Sequence, residues 1–338
     1  MSDVDVWPYS LPLKTPWTTG RSRTTTRRGF IVQVGRSYGD ACPLPGAPDR
    51  ELGKIGQQLR APSSAHRAAP HGPARNALLQ AALSEKARET KISLGTLLGD
   101  AHGRHPRSRV HVNATIPIMP MARTASRAKA LVREGYRTLK LKVGSNPADW
   151  KRVEAVRNII GPSIRLRLDP NGSWSAATLA SRLERLEAFD IEYVEQPFPS
   201  TDPTRFVDWT ARSPIPLAPD EQADSLDAIR TLLADKVLEF VVLKPMTLGG
   251  PDLATEAIAL IEDAGAVPIV TDVLESGVGR AGALHVASLT RDADAVHGLA
   301  GGTYFRTDLV KPALLPKRAQ LRVPTRPGLG VTVGRPTS

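Results

Sequence analysis

The segment Leu139–Val143 reads L-K-L-K-V, and it sets the pattern for the middle of the chain. Apolar and charged residues alternate in it, as in a β-strand whose two faces meet different surroundings. Four further short apolar runs also end on a charged residue. The five charged residues are Lys142, Asp169, Glu195, Asp220 and Lys244, separated by 27, 26, 25 and 24 residues. Each step has the length of one strand followed by one helix, so the spacing predicts repeated βα units.

The alternation of short apolar runs with amphipathic segments extends from residue 110 to residue 298. Strands are predicted over 110–115, 139–143, 164–169, 191–195, 215–220, 240–244, 267–271 and 295–298. Helices are predicted over 122–134, 148–160, 175–188, 202–212, 225–235, 251–264 and 279–289. Such alternation is typical of a parallel sheet. Seven or eight units in about 200 residues favour an α/β fold closed as a (β/α)7-8 TIM-type barrel.

The first 108 residues lack this regularity and are predicted to form a small α+β domain. Residues 29–34 read as a strand, residues 37–46 as a loop rich in turn formers, and residues 74–98 as a helix-like run. Residues 319–333 contain spaced apolar residues and are expected to return as a strand to this domain. The predicted division is 1–108 for the α+β domain, 109–308 for the barrel and 309–338 for the C-terminal segment.

The net charge of +11 and the pI of about 10.0 raise the question of an acidic partner. The basic residues are scattered and aromatic residues make up only 5% of the chain, which argues against nucleic-acid binding. Attraction of an anionic small-molecule substrate is favoured, and a surface bias without any role stays open. The one notable basic cluster lies near the N-terminus and consists of Arg21, Arg23, Arg27, Arg28 and Arg36.

The cysteine content and the absence of long apolar runs bear on location. The single cysteine, Cys42, cannot form an intrachain disulfide and is typical of a reducing cytoplasm. No apolar run is long enough to span a membrane, and residues 1–11 lack the basic start and apolar core of a secretory signal. We therefore expect a cytoplasmic protein without a membrane partner, and either a monomer or a homo-oligomer.

Three carboxylates, Asp169, Glu195 and Asp220, end three successive predicted strands. In a barrel their side chains converge at one end, where they repel one another unless a cation neutralises them. A ligand set made only of oxygen selects a hard divalent ion, Mg²⁺ first, with Mn²⁺ as a substitute. The seven histidines show no metal-ligand spacing, which argues against zinc. One such acid alone is readily explained as a strand-end cap or a surface ion-pair partner, whereas three in register favour a metal site.

Lys140 and Lys142 alternate along one strand, so both amines are expected to point into the barrel. An interior lysine is costly unless it meets an anion. Lys244 ends the run 240–243 and is expected across the barrel mouth from Lys142, although a lysine that reaches to solvent from a strand end is equally plausible there. Two lysines beside a metal suit the removal of a proton next to a carboxylate, with one amine as base and the other supporting the resulting anion.

These residues resemble the enolase superfamily and, within it, the muconate-lactonizing branch. The motifs that carry the resemblance are Lys140-Leu141-Lys142, Asp169-Pro170-Asn171, Glu195-Gln196-Pro197, Asp220-Glu221 and Lys244-Pro245. In that family a lysine or histidine base works beside Mg²⁺. The resemblance implies a barrel with an N-terminal capping domain, and it extends to residues 37–46 and 76–99 of that domain. Asp40 stands where the capping segment of the family usually has Glu.

Within the branch, other segments resemble the o-succinylbenzoate synthase family. They are Asn113-Ala114-Thr115, Val242-Leu243-Lys244-Pro245, Leu274-Glu275-Ser276 and His297-Gly298-Leu299. That family dehydrates a cyclohexadiene carboxylate carrying a hydroxyl group and a succinyl arm in menaquinone synthesis. The resemblance implies that Lys142 is the base and then the acid, and that Lys244 stabilises the intermediate. It further implies substrate contacts at Asn171, Ser276 and Gly298, and a place for Glu221 behind the metal ligands.

Two alternatives to a magnesium-dependent dehydratase remain open. An N-acylamino-acid racemase or dipeptide epimerase of the same scaffold would begin with the same proton removal. A basic, non-catalytic binding protein would show salt-sensitive binding to DNA or RNA and would not need Lys142.

Overall fold

The computed structural model describes residues 4–61, 72–199 and 202–334. We number the elements β1–β15 and α1–α11 in chain order. The strands are β1 Val4–Thr18, β2 Arg23–Val34, β3 Ser37–Ala41, β4 Arg109–Val112, β5 Ala114–Ile116, β6 Thr138–Lys142, β7 Arg165–Asp169, β8 Ile191–Glu195, β9 Leu217–Ala218, β10 Phe240–Leu243, β11 Val267–Val270, β12 Val296–His297, β13 Val310–Lys311, β14 Gln320–Arg322 and β15 Thr332–Val333.

The helices divide between an N-terminal set and a set that alternates with the strands from β5 onwards. They are α1 Asp49–Arg60, α2 Pro73–Glu89, α3 Leu94–Asp100, α4 Met121–Arg133, α5 Trp150–Ile160, α6 Ala176–Leu186, α7 Pro203–Thr210, α8 Leu226–Leu233, α9 Pro245–Leu248, α10 Pro251–Asp263 and α11 Gly277–Ala287. Two short 3-10 turns lie at Glu187–Phe189 and Ala300–Tyr304. No helix among the described residues combines the length and the apolarity needed to cross a membrane.

The N-terminal unit is an antiparallel meander, in the order β1-β2-β3, covered by α1 and α2. The predicted strand over 29–34 is the second half of β2, which is longer than predicted. The predicted loop over 37–46 is partly wrong, since Ser37–Ala41 pairs with Phe30–Val34. Its turn-forming residues serve packing instead: a Cβ on Gly39 would lie 1.9 Å from the carbonyl oxygen of Ala77, so only glycine lets β3 approach α2 this closely.

Eight parallel staves close a barrel, which confirms the predicted fold class. The first is β4 with β5, and the second to the eighth are β6 to β12. Strands β5 to β9 form one parallel sheet, and β10 pairs with β11. The backbone N–H of Val242 donates to Pro219 at 3.0 Å and that of Gly298 to Val270 at 2.9 Å, which joins the remaining seams. Strand β12 pairs with β4 and completes the ring.

The alternation of the strands explains which side chains face the helices. Leu139 and Leu141 of β6 belong to the main apolar core, whereas Lys140 and Lys142 lie on the opposite face and are 8% and 7% exposed. At β6 the interior of the barrel is therefore polar, whereas the core between the strands and the helices is apolar. Burial of the aliphatic face contributes about 25 cal/mol per Å² of apolar surface, and this face holds the strand in register although its other face carries charges.

Two predicted strands differ from the observed ones for reasons of hydrogen bonding. The run 110–115 is interrupted at Asn113, where β4 ends and β5 begins. The run 215–220 shortens to Leu217–Ala218, because Pro216 and Pro219 flank these residues and have no N–H to donate to a ladder.

The C-terminal segment touches both units rather than only the N-terminal one. Strand β14 pairs antiparallel with β4 of the barrel. The backbone of Gly328 bonds to Ile92 and Leu94, beside α3 of the N-terminal unit. We keep the limits 1–108, 109–308 and 309–338 as a proposal, and their outer ends, residues 1–3 and 335–338, lie outside the described residues.

Buried side chains fasten the N-terminal unit to the barrel, and Asp40, Arg27 and His285 are among them. Asp40 accepts hydrogen bonds from the backbone N–H of Ser276 at 3.0 Å and from its hydroxyl at 2.6 Å. Arg27 donates from Nε to the carbonyl oxygen of Leu274 at 3.0 Å. The Nδ1 of His285 accepts from the N–H of Gly95 at 3.2 Å, so Nε2 carries the proton and donates to Leu329 at 3.2 Å.

We expect the fold to lose stability in acid through His285. Burial lowers the pKa of this imidazole from 6.5 to about 4, so the folded protein resists protonation while the unfolded chain accepts it. The contribution of His285 to the free energy of unfolding is fully present above pH 6.5. It is lost as the pH drops toward 4, and the loss amounts to about 3 kcal/mol. Urea unfolding of the wild type and of His285→Gln between pH 7 and pH 4 measures it.

The informative quantity is the slope of the unfolding free energy against pH, not its absolute value. Burial lowers the pKa of His297 to about 3, and this group is present in both proteins, so its contribution cancels. A His285→Gln protein whose slope equals that of the wild type would contradict the assignment.

Candidate active site

The five charged residues of the regular spacing gather at the carboxyl ends of the barrel strands. Lys142, Asp169 and Glu195 are the last residues of β6, β7 and β8, Asp220 lies two residues after β9, and Lys244 directly follows β10. A cavity of about 220 Å³ opens here, roofed by Trp17, Arg21, Leu44 and other residues of the N-terminal unit. This end of a parallel barrel is where active sites form.

The order of the staves fixes how these groups face one another. Lys142 is on the second stave and Lys244 on the sixth, which lies half-way round an eight-stave ring. The three carboxylates occupy the staves between them, the third to the fifth. The seventh and eighth staves and the N-terminal unit form the rest of the cavity wall.

Each carboxylate is paired with a lysine. Lys140 Nζ lies 2.8 and 2.9 Å from the two carboxylate oxygens of Glu195 and 2.9 Å from Asp169 Oδ2. Lys142 Nζ lies 2.5 Å from the same Asp169 oxygen, and the ammonium group of Lys244 pairs with Asp220 Oδ1. Three positive and three negative charges thus balance in a buried space, which is the condition for burying any of them.

Burial and charge shift the acids in opposite directions. Burial alone would raise the pKa of Asp169, but Lys140 and Lys142 outweigh it and hold that pKa well below its usual range. Burial, followed by the negative charge of Asp169, raises the pKa of Glu195 to about 7. Burial also raises the pKa of Asp220 to about 6, against the attraction of Lys244. Glu195 and Asp220 therefore bind a proton more readily than ordinary acids, and a further positive charge nearby would keep both as carboxylates.

The donor set fits a hard divalent cation. Oδ2 of Asp220 and Oε2 of Glu221 are buried and have no hydrogen-bond partner among the described residues, and an orphaned anionic oxygen of this kind is costly. Within 4–61, 72–199 and 202–334, however, no three acidic, histidine or cysteine side chains stand close enough together to enclose an ion. A cation would have to take over oxygens that now contact lysines.

The remaining sequence-predicted residues separate into two groups. Asn171 lines the cavity, and its Oδ1 accepts from Lys142 Nζ at 2.8 Å. Gly298 and Glu221 also line it. The structure does not bring Ser276 to the cavity, because its hydroxyl is fully buried, donates to Asp40 and caps the first turn of α11.

Several cavity residues were absent from the sequence-predicted set. Trp17 lies near the end of β1, and Arg21 lies in the segment that joins β1 to β2; the basic composition around Arg21 was the only sequence signal for them. Asp272 follows β11 by two residues, as Asp220 follows β9, so the same strand-end signal was present. Tyr304 lies in a 3-10 turn, packs edge-on against Trp17 with ring centroids 4.6 Å apart, and left no sequence signal.

Comparison with known proteins gives matches to one family model and to curated relatives. Residues 123–336 match the family model described as Enolase C-terminal domain-like. The chain is 32% identical over 221 residues to an o-succinylbenzoate synthase of Thermobifida fusca, covering 64% of this chain and 67% of the relative. It is 31% identical over 232 residues to an N-succinylamino acid racemase of Thermus thermophilus, covering 68% of this chain and 62% of the relative.

The whole chain also superposes on solved structures. A dipeptide epimerase from Enterococcus faecalis, solved with Mg and the dipeptide L-Leu-L-Tyr, gives a TM-score of 0.88 at 22% identity, over 98% of this chain and 99% of that one. At this identity the likeness shows the fold, a barrel with an N-terminal capping domain. Because the family model covers more than half of the chain, we conclude that the protein belongs to the enolase superfamily, in its muconate-lactonizing branch.

Proposed function

We propose that the protein is a magnesium-dependent lyase that removes the proton α to a carboxylate and eliminates water, as o-succinylbenzoate synthases do. The observation that carries this proposal is the arrangement of Lys142 and Lys244 on opposite staves, with three carboxylates on the staves between them. The similarity to an o-succinylbenzoate synthase supports the choice of reaction. Menaquinone synthesis, a cytoplasmic location and an anionic small-molecule substrate belong to the same proposal.

In this proposal Asp169, Glu195 and Asp220 hold the cation, and Glu221 stands beside Asp220. When bound, Mg²⁺ supplies positive charge that acidifies the α-proton and offsets the negative charge that develops on the substrate carboxylate. The orphaned oxygens of Asp220 and Glu221 support this role. The Mg in the dipeptide epimerase structure is consistent with it.

Lys142 is assigned the transfer of the proton. Its ammonium group must first lose a proton to solvent; the neutral amine then takes the α-proton, becomes an ammonium group again, and gives that proton to the leaving hydroxyl group so that water departs. Asn171 Oδ1 holds Nζ from one side. Lys244, kept charged by Asp220, faces the reacting carbon from the opposite stave and stabilises the anion formed when the proton leaves.

Lys140 is assigned to holding the site together rather than to proton transfer. Its Nζ spans Glu195 and Asp169, and burial would lower its pKa, but these two acids raise it well above the usual value. It therefore stays an ammonium group and fixes the spacing of the acids.

A racemase or epimerase of N-acylated amino acids is the second candidate. A pair of lysines on opposite staves could also deliver and remove a proton from the two faces of one carbon, and the racemase relative supports this reading. The two candidates share the removal of the α-proton and differ in the second step, which is loss of hydroxide in one and reprotonation in the other. The third possibility, a basic binding protein, has no role for this buried array of charges. Whether the protein is a monomer or a homo-oligomer stays open.

We expect the protein to consume a cyclohexadiene carboxylate that carries a hydroxyl group and a succinyl arm. Dehydration makes the ring aromatic, so the diene absorbance disappears, and this is the measurement. The parallel assay offers an N-succinyl amino acid in D₂O and follows α-deuterium by NMR. Racemisation without any loss of diene absorbance would favour the second candidate, and inactivity in both assays would remove both.

We expect Lys142→Met to lower kcat for the dehydration by a factor of about 10²–10⁴, because methionine fills the space of lysine without a proton-accepting amine. Stopped-flow absorbance at saturating substrate measures kcat, and circular dichroism checks the fold. Lys129→Met is the matched control, since Lys129 is exposed on α4. A Lys142→Met enzyme as active as the control would refute the assignment of the base.

We expect Mg²⁺ to stabilise the metal-free protein by about 2.7 kcal/mol when its concentration is 100 times Kd, because the ion binds only the folded site. Calorimetric titration and thermal unfolding with and without EDTA measure this directly, independently of turnover. Asp220→Asn should weaken binding at least tenfold, since a ligand charge is lost, whereas Asp227→Asn on exposed α8 should not. Equal Mg²⁺ affinity in the two variants would contradict the ligand assignment.

A further inference from the structure

Leu274 has a backbone conformation that a leucine rarely adopts. Its φ is +57°, in the left-handed region where a Cβ crowds the following carbonyl oxygen. It is only 4% exposed, and it lines the active-site cavity. Left-handed non-glycine residues persist where the surroundings over-determine them, and they concentrate at functional sites. Leucine has no polar side chain with which to compensate locally, as Asn171 at +51° has.

Two charged side chains hold this residue in place from opposite sides. On the barrel side, the N–H of Leu274 donates to Asp272 Oδ1 at 3.1 Å, and the other oxygen of Asp272 accepts from Gly301 at 2.9 Å. On the side of the capping domain, Arg27 donates from Nε to the carbonyl oxygen of Leu274 at 3.0 Å. Both ends of the strained residue are therefore bonded.

Arg27 is unusual in being almost fully buried, at 4% exposure, without a carboxylate partner among the described residues. Its guanidinium group bonds backbone carbonyls instead: Leu274, Val273 at 3.1 Å, and Pro43 of the capping domain. A buried charge is costly unless hydrogen bonds satisfy it, and here these carbonyl oxygens and the Sγ of Cys42 at 3.0 Å do so. The guanidinium group ties the cap segment 43–45 to the barrel segment 273–274, and both segments line the cavity.

We propose that Leu274 is a specificity-determining residue and that Arg27 and Asp272 are the residues that position it. Leu44, Pro45, Val273 and Leu274 form an apolar part of the wall of the cavity that the lysines and carboxylates also line. This apolar part takes the carbon skeleton of the substrate while the charged groups take its carboxylate. Because Arg27 comes from the capping domain, the wall is complete only when that domain is docked. The inference rests on the proposed function in that it takes this cavity as the substrate site.

The strain is tested without any substrate by comparing Leu274→Gly with Leu274→Ala. Both remove the side chain, but glycine adopts a positive φ freely, so Leu274→Gly should melt a few degrees higher than Leu274→Ala. Leu284, in the interior of α11, gives the matched control. There Leu284→Gly should melt lower than Leu284→Ala, because glycine is unfavourable in a helix. If the glycine and alanine variants melted in the same order at both positions, the inference that Leu274 is strained would be overturned.

The role in specificity is tested by steady-state kinetics with whichever substrate class the wild type turns over. Leu274→Ala should raise KM about tenfold and leave kcat within about threefold, because it removes binding that is equal in the ground state and the transition state. Arg27→Met should also raise KM, and the double variant should raise it by less than the product of the two single effects, because Arg27 acts in part through Leu274. Arg28→Met is the control, since Arg28 points away from the barrel to Asp49.

An unchanged KM in Leu274→Ala, or fully additive effects of Arg27→Met and Leu274→Ala, would overturn the inference. If Arg27→Met fails to fold, Arg27→Lys replaces it, because a lysine cannot reach three carbonyl groups at once. A wild type inactive in both substrate assays would end the proposed function and the specificity role together. The melting comparison at Leu274 would still decide whether the strain exists.

Discussion

The site depends on the balance of three ammonium groups and three carboxylates inside the barrel. None of these charges could be buried alone, and Lys140 shows why the balance holds, since one amine satisfies two acids from neighbouring staves. The apolar face of the same strands packs against the helices and fixes the register that puts every charge on the inside. Electrostatics and packing are thus two consequences of one alternating strand pattern.

The cavity has a highly charged side and a mixed side. Three lysines and three carboxylates stand on the second to the sixth staves, whereas the capping domain and the last two staves contribute mostly uncharged residues together with Arg21 and Asp272. Side chains of both units cross the boundary between them. Arg27 and Asp40 bond the segment after β11, whereas Arg75 and Gln80 of α2 bond Asp252 and Val278 of the barrel.

The sequence predicted the barrel well because its strands are visible locally as short apolar runs, five of which end on a charged residue. It gave no prediction for β1, in which Pro8 and Pro12 obscure the strand pattern, and β1 accommodates them as the edge strand of its sheet. Ser276 looked available for a substrate, but its partner Asp40 lies 236 residues away, a contact that no local pattern reveals. The convergence of the lysines and acids could be predicted because each lies at or near the end of a strand that the sequence marks locally.

The prolines that flank Leu217–Ala218 have a mechanical consequence. The fifth stave is joined to its neighbours by few backbone hydrogen bonds, and few such bonds make local opening easier. Asp220 is anchored just beyond this weak seam, where Gln196 Oε1 accepts from its N–H at 3.0 Å. A cation bound both by Asp220 and by acids of the neighbouring staves would add a link between the fifth stave and those staves.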